Sequence, residues 1–320
     1  MNSKVGMLLT SRNNYDFMER HWIPRAKVDP YLVLNIDEDS FDAEKAKGRA
    51  LCSEHGIEYL DRDKRGLQFN VHQACRWFKD RGVKFVIWYQ HDCWPIYPVK
   101  FYHQFEKLVD SGSLDQFGTV GFNTLTTDVI NNYKINLAKI QQGKRPMGVV
   151  ARCIVEPYVK YYIGTQGKGL SLQAMPRQKR FKEPFSVEVV CYFAIAVNVD
   201  LVLRVIKPTS DYHYFMAWDD LSFQFLNHNI HNVVLPSMYV AHRPDLKPEV
   251  GIPTRSTRSS SLHHDKIGRE VGIWIRRWGW NRKKRETYCK VAKRYKGTLI
   301  DDFFNHNPLV KGPLKSFDLS

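Results

Sequence analysis

In the first half of the chain, short apolar runs alternate with segments whose apolar residues recur at helical spacing. The strongest run is VKFVIWY at residues 83–89, and others occupy residues 4–10, 31–36 and 57–60. Between and after them, helices are predicted over residues 15–25, 43–55 and 66–79. Strands that alternate with helices of about 10–15 residues predict an α/β fold, with a mixed, mostly parallel sheet flanked by helices.

The second half of the chain is less regular but contains further strand and helix signals. Strands are predicted at residues 118–123, at the start of 185–206 and at 232–239. One helix is predicted to begin near Val199, and Asp219-Asp220 are predicted to open another within residues 214–224. Residues 244–264 include the stretch TRSTRSSS and are expected to form a loop.

Ligands of such sheets bind at the carboxyl ends of the strands, so the residues just past each predicted strand are candidates for function. These are Thr10, Ser11 and Arg12, the acidic cluster at residues 37–39, and Gln90, His91 and Asp92. Asp92 follows the most hydrophobic strand, where a carboxylate is costly to place without a partner or a metal ion.

The order of these features resembles the GT-A-fold glycosyltransferases, nearest to the large family 2 type. The resemblance spans roughly residues 4–280. Gln90-His91-Asp92 stands in the place of the DxD motif, residues 212–243 resemble the acidic-DL helix with its following strand and terminal histidine, and IRRWGW at 275–280 is similar to a Trp-Gly element near the end of such enzymes.

This resemblance implies a Rossmann-like GT-A fold and transfer of a sugar from a nucleotide-sugar donor, with a UDP-sugar favoured. Thr10, Ser11, Arg12, Asp37, Arg65, Gln90, His91 and Asp92 would contact the donor. Asp92 and His242 would share a divalent Mn²⁺ or Mg²⁺ ion that neutralises the leaving diphosphate. Gln90 departs from the motif, because an Asp is usual there and an amide brings no charge.

The acceptor hydroxyl must lose a proton as it attacks, and the resemblance assigns this general-base role to Asp220 or to its neighbour Asp219. Trp218 stands where many relatives carry an acid. The pair Asp219-Asp220 also fits the first turn of a helix, where Asp is favoured for purely structural reasons.

The net charge of +15 is concentrated in two segments. Residues 141–182 contain nine Lys or Arg and one acid, and residues 265–296 contain twelve and three. Concentrated positive charge favours a polyanionic partner. The candidate acceptor-binding residues are Lys179, Arg180, Trp218, Arg276 and Arg277.

Three interpretations of this charge stay open. The acceptor is DNA, for instance a hydroxymethylated base in viral DNA, which the size of the charge weakly favours. Alternatively, a lipid-linked or envelope glycan at an anionic membrane is the acceptor, as in many family 2 relatives. A third interpretation is a non-catalytic nucleic-acid-binding protein on a degenerate GT-A fold.

The length of 320 residues allows one large domain or two modest ones. We expect a catalytic domain at residues 1–264, with a basic insertion near 141–184, and a basic, Trp-rich C-terminal extension at 265–320. The six cysteines form no CxxC pair, and the sequence contains neither a signal-peptide pattern nor an uninterrupted apolar span. We therefore expect a cytoplasmic protein with reduced thiols, located in the host cytoplasm if viral.

Overall fold

The computed structural model describes residues 3–27, 29–62, 66–126, 184–187, 190, 193–212, 217–251, 270, 273 and 277. Within these ranges the strands are β1 (Val5–Ser11), β2 (Leu32–Glu38), β3 (Glu58–Arg62), β4 (Phe85–Tyr89), β5 (Cys93–Pro95), β6 (Phe117–Thr126), β7 (Phe185–Val187), β8 (Ala194–Asn198) and β9 (His231–His242).

The helices lie between these strands. Helix α1 consists of Tyr15–Phe17, a π-helical turn at Met18–Trp22, and Ile23–Ala26. It is followed by α2 (Asp42–Glu54), α3 (Leu67–Lys79), α4 (Pro98–Asp110), α5 (Val199–Val205), α6 (Ala217–Asn227) and a 3-10 helix at Pro244–Val250. No helix of the described residues is long and apolar enough to cross a membrane.

The nine described strands form one sheet in the order β3-β2-β1-β4-β8-β6-β9-β5, with β7 also paired to β9. The first four are parallel to one another. β8 is antiparallel to both β4 and β6, and β6 is parallel to β9. Hence β1, β2, β3, β4, β6 and β9 all run in one direction, which confirms the expected mixed, mostly parallel α/β sheet.

Helices cover both faces of the sheet because successive side chains of a strand point to opposite faces. On β1, Gly6 lies against α3 so closely that an added Cβ would come 2.3 Å from the ring of Phe78. The next residue, Met7, faces α4, where the Tyr102 hydroxyl lies 3.3 Å from its Sδ atom. The sheet is therefore the middle layer of a helix–sheet–helix sandwich.

Most predicted elements lie within a few residues of their observed positions, but the segment after β4 was not anticipated. The short strand β5 pairs with the end of β9, and α4 then begins at Pro98. The first part of the predicted loop at 244–264 is instead the 3-10 helix Pro244–Val250, whose turn includes a 3.3 Å bond from the Leu246 N–H to the Arg243 carbonyl.

Several predictions fall on residues outside the described ranges. They concern Arg65, Lys179, Arg180 and Arg276, almost all of the insertion at 141–184, and the C-terminal extension at 265–320 except residues 270, 273 and 277. The division of the chain at residue 264 therefore stays a prediction.

Candidate functional site

One edge of the sheet gathers the carboxyl ends of strands that are far apart in sequence. β1 and β2 end side by side, with Ser11 opposite Asp37 in the register. β4 ends at Tyr89, so Gln90, His91 and Asp92 leave the sheet at this same edge. β9 runs in the same direction and ends there with His242. The topology thus brings most of the predicted donor-site residues to a single edge.

Asp92 and His242, about 150 positions apart in sequence, are neighbours at this edge. The strand β5 pairs antiparallel with the end of β9, with Cys93 opposite His242, and the Arg243 N–H donates to the Asp92 carbonyl at 2.8 Å. Because the backbones are locked in this register, His242 Nε2 lies 3.3 Å from Asp92 Oδ2. Both side chains are buried.

A lysine side chain reaches the same carboxylate. Lys247, on the 3-10 helix after β9, places its Nζ atom 2.5 Å from Asp92 Oδ2. Burial opposes ionisation of Asp92, but the His242 hydrogen bond and the charges of His242 and Lys247 outweigh it and hold the pKa of Asp92 well below its usual value. Asp92 is therefore a carboxylate at neutral pH.

The donor atoms around Asp92 suit a metal ion. One ligand atom each from Asp92, Cys93 and His242 lies within 4.8 Å of the others, and all three residues are buried. The His242 ring is held in place by stacking on Phe193, with ring centroids 3.9 Å apart. A carboxylate oxygen with an imidazole nitrogen fits Mn²⁺, whereas the Cys93 thiol is a softer ligand than Mn²⁺ or Mg²⁺ prefers.

His91 and Ser11 connect this site to β1. His91 Nε2 lies 2.7 Å from the Ser11 hydroxyl, which in turn donates to the side-chain oxygen of Asn35 on β2. The other ring nitrogen, Nδ1, is buried and has no hydrogen-bond partner among the described residues. Burial lowers the pKa of His91 to about 4, so its imidazole is neutral at pH 7.

Asp37 lies in the network next to Ser11 and is fully buried. Its Oδ2 accepts the Tyr15 hydroxyl and its Oδ1 accepts the Ser40 N–H at 3.0 Å. Both oxygens thus have partners within the protein, and the carboxylate positions the loop after β2. Contact between Asp37 and the nucleotide-sugar donor stays a prediction.

The remaining predicted donor residues lie around this network. Thr10 Oγ1 accepts a hydrogen bond from Trp88 Nε1 at 3.0 Å, so it faces the core. Arg12 is exposed and pairs with Asp39 at 3.3 Å. Gln90 is half-buried, and its carbonyl accepts the Cys93 N–H at 2.9 Å in the turn that leads to β5.

The predicted general bases lie in the first turns of α6, and both are fully buried. Asp220 Oδ2 accepts amide hydrogen bonds from Gln68 at 2.9 Å and from Gln224 at 2.8 Å. Its Oδ1 lies 3.3 Å from the Nε atom of Arg277. The two amides fix the plane of this carboxylate, and a cation from the C-terminal region faces its other oxygen.

Two of the predicted acceptor-binding residues, Trp218 and Arg277, lie within the described part of the chain, and they differ in burial. Trp218 is buried, and its ring packs on Trp88 with centroids 5.1 Å apart. Arg277 pairs with Asp220 and is 32% exposed. Trp218 therefore contributes to the packing between α6 and β4, and a role for either residue in acceptor binding stays a prediction.

Sequence reasoning did not anticipate Lys247, Cys93 or the amides that hold Asp220. Gln68 is almost fully buried on α3; its amide also donates to the Ala217 carbonyl at 2.9 Å, and its oxygen accepts the Thr209 N–H at 3.1 Å. The position of Gln68 on the apolar side of a predicted helix was a usable signal, since a buried amide requires partners. No comparable signal marks Lys247.

No family model and no curated protein matches the sequence. Among solved structures, the chain is similar to GalNAc-T7 with UDP, GalNAc and Mn²⁺, at 12% identity and a TM-score of 0.47 over 74% of this chain. This chain spans 43% of the length of that protein.

Two other solved structures cover more of the chain. The mannosyltransferase PcManGT from Pyrobaculum calidifontis, in complex with GDP-Man and Mn²⁺, is 11% identical with a TM-score of 0.45, over 95% of this chain and 83% of its own. S. aureus TarS is 10% identical with a TM-score of 0.41, over 95% and 81%. At TM-scores below 0.5 these likenesses establish neither a family nor an activity for this chain.

Proposed function

We propose that this chain is a nucleotide-sugar-dependent glycosyltransferase of the GT-A type. The proposal is supported above all by the meeting of Asp92 and His242, whose atoms lie 3.3 Å apart at the carboxyl edge of the sheet. The resemblance in sequence implies that these two residues would share an ion, although about 150 positions separate them in the chain. The α/β sheet, with six strands directed to this edge, supplies the place where a nucleotide binds in such folds.

Asp92 and His242 are the residues that would hold a divalent cation, with Mn²⁺ favoured over Mg²⁺ because an imidazole is one of the ligands. Such an ion neutralises the negative charge of the departing diphosphate. Ser11, Arg12 and His91 lie beside this point or at the end of β1, where they would contact the nucleotide. A UDP-sugar is the donor that we favour.

Asp220 is proposed as the general base, with Asp219 beside it. The bonds from Gln68 and Gln224 to Oδ2 leave Oδ1 as the oxygen that would take the acceptor proton. The guanidinium of Arg277 already lies beside Oδ1. For proton transfer, the acceptor hydroxyl must therefore contact this oxygen beside the guanidinium or displace the guanidinium from it. A single displacement with inversion fits one carboxylate acting in this way.

The experiment measures hydrolysis and transfer for a panel of UDP- and GDP-sugars, with Mn²⁺ and with a chelator. Asp220→Asn should abolish transfer and leave donor affinity largely intact, whereas Asp92→Ala should weaken metal-dependent donor binding. Asp200→Asn is the matched control, because the Asp200 side chain is 68% exposed and pairs with Lys79 at the surface. If no donor is bound or turned over, the proposal is wrong.

For the acceptor we favour DNA, with a hydroxymethylated base as the modified group. This choice is supported by the two basic segments at residues 141–182 and 265–296. A protein that neutralises several phosphates shows a log–log salt slope of roughly −0.9 per phosphate contact. Binding to duplex DNA and to anionic vesicles should be compared across a salt series. Absence of DNA binding at about 50 mM salt would favour the glycan acceptor.

The cytoplasmic location of the protein also stays a prediction, which rests on the dispersed cysteines.

A further inference from the structure

Lys247 occupies the carboxylate oxygen that a metal ion at this site requires. Its ammonium nitrogen lies 2.5 Å from Asp92 Oδ2, and the same oxygen is the one that lies 3.3 Å from His242 Nε2. Asp92 is 2% exposed and Lys247 is 25% exposed, so the ammonium covers the carboxylate from the solvent side. An ion held between Asp92 and His242 would therefore lie close to the ammonium group of Lys247.

An ammonium and a divalent ion compete for this oxygen. Two like charges a few ångströms apart repel strongly in a buried site, where little water screens them. The other carboxylate oxygen, Oδ1, lies 3.7 Å from the Cys93 thiol and so also belongs to the candidate ligand set, but the two oxygens share one carboxyl group and an ion on either of them is repelled by the nearby ammonium. Binding of an ion between Asp92 and His242 thus favours an arrangement in which the ammonium has moved away from the carboxylate.

The local structure allows this exchange. Lys247 belongs to the short 3-10 helix Pro244–Val250, which is tied to α1 by a 3.4 Å bond from Arg20 to the Glu249 carbonyl and by the 3.5 Å contact between His21 and Glu249. Those contacts hold the backbone in place. The flexible four-carbon stem of lysine lets the ammonium swing away while the helix stays docked.

We infer that Lys247 is an internal counter-ion that exchanges with a divalent cation on Asp92. This inference rests on the proposed function, because it concerns the metal site of that reaction. In the metal-free protein, Lys247 balances the buried charge of Asp92. When an ion binds, the displaced ammonium stays at the mouth of the same site, where it faces the anionic diphosphate of a donor. Lys247 therefore limits metal affinity before the donor arrives and contributes to donor binding afterwards.

The experiment measures Mn²⁺ binding alone, without any nucleotide, by electron paramagnetic resonance or calorimetry. Removal of the paired charge that competes for the Asp92 carboxylate should tighten Mn²⁺ binding about tenfold in Lys247→Met. Lys247→Arg keeps a competing cation and should bind Mn²⁺ as weakly as the wild type. The matched control is Lys79→Met, which removes a surface lysine 3.0 Å from Asp200 and should change nothing.

A second measurement follows the lysine itself. Mild acetylation, read by mass spectrometry, should label Lys247 faster when Mn²⁺ is present, because the displaced ammonium becomes accessible, while labelling of Lys79 stays constant. Equal or weaker Mn²⁺ binding by Lys247→Met, or labelling of Lys247 that ignores Mn²⁺, would overturn the inference. Neither assay contains a donor, so absence of sugar turnover alongside the expected Mn²⁺ ranking would count against the proposed function alone.

Discussion

The buried imidazole of His91 should make the stability of this protein fall on mild acidification. Burial lowers its pKa to about 4 from the ordinary 6.5, so the folded protein holds the ring neutral while the unfolded chain protonates it at the higher value. The stabilising contribution is complete above pH 6.5 and is lost as the pH falls toward 4. Integration of the proton uptake gives a loss of about 2 kcal/mol by pH 5 and about 3 kcal/mol by pH 4.

The assay is urea unfolding at about pH 7 and pH 5 with EDTA present, so that no metal ion contributes. His91→Gln removes the titrating group and keeps an amide near the Ser11 hydroxyl. Its free energy of unfolding should fall by about 2 kcal/mol less than that of the wild type between the two pH values. The matched control is His103→Gln on the exposed face of α4, which should follow the wild type. Equal losses in His91→Gln and wild type would refute the reasoning.

Three further substitutions test the packing and hydrogen bonds of the fold, each by urea unfolding. Gly118→Ala places a Cβ within 2.4 Å of the Phe225 ring and should cost about 1–3 kcal/mol, and Phe225→Leu in the same chain should restore part of it. Gln68→Met removes the amide bonded to Asp220 and should cost about 1–3 kcal/mol; an unchanged midpoint would show that Asp220 finds another donor. Tyr102→Phe breaks the 2.9 Å bond to the Ala26 carbonyl and should cost about 1 kcal/mol, with no effect expected if water replaces the hydroxyl.

The first half of the fold could be predicted because its signals are local. The run at residues 83–89 is too apolar to be anything but a buried strand, and helix α3 follows from the spacing of its buried residues. The sequence of helix α4 contains a comparable local signal for a helix. Its buried residues Phe101, Tyr102, Phe105, Leu108 and Val109 recur at helical spacing, and Pro98 stands at the start.

The positions of the candidate site residues could be predicted only where the direction of a strand determines them. Asp92 follows β4 and His242 ends β9, and both strands point to the same edge of the sheet, so the meeting of the two residues depends on topology, which the order of the elements indicates. The pairing of Lys247 with Asp92 depends on how a seven-residue 3-10 helix docks on α1. That docking involves only a few tertiary contacts, and no periodicity or motif in the sequence encodes it.

The two carboxylates proposed for the reaction each face a cation that comes from the chain after β9. Lys247 lies on Asp92 and Arg277 lies on Asp220, and the two carboxylates are 2% and 0% exposed. A buried carboxylate is destabilising unless a positive charge or hydrogen bonds compensate it. Part of the positive charge after residue 242 is thus committed inside the protein and is not available to an external polyanion. Substitutions that neutralise Lys or Arg after residue 242 therefore affect the two carboxylates as well as the binding of any acceptor. The contribution of positive charge to salt-dependent DNA binding should accordingly be tested first with substitutions at residues 141–182.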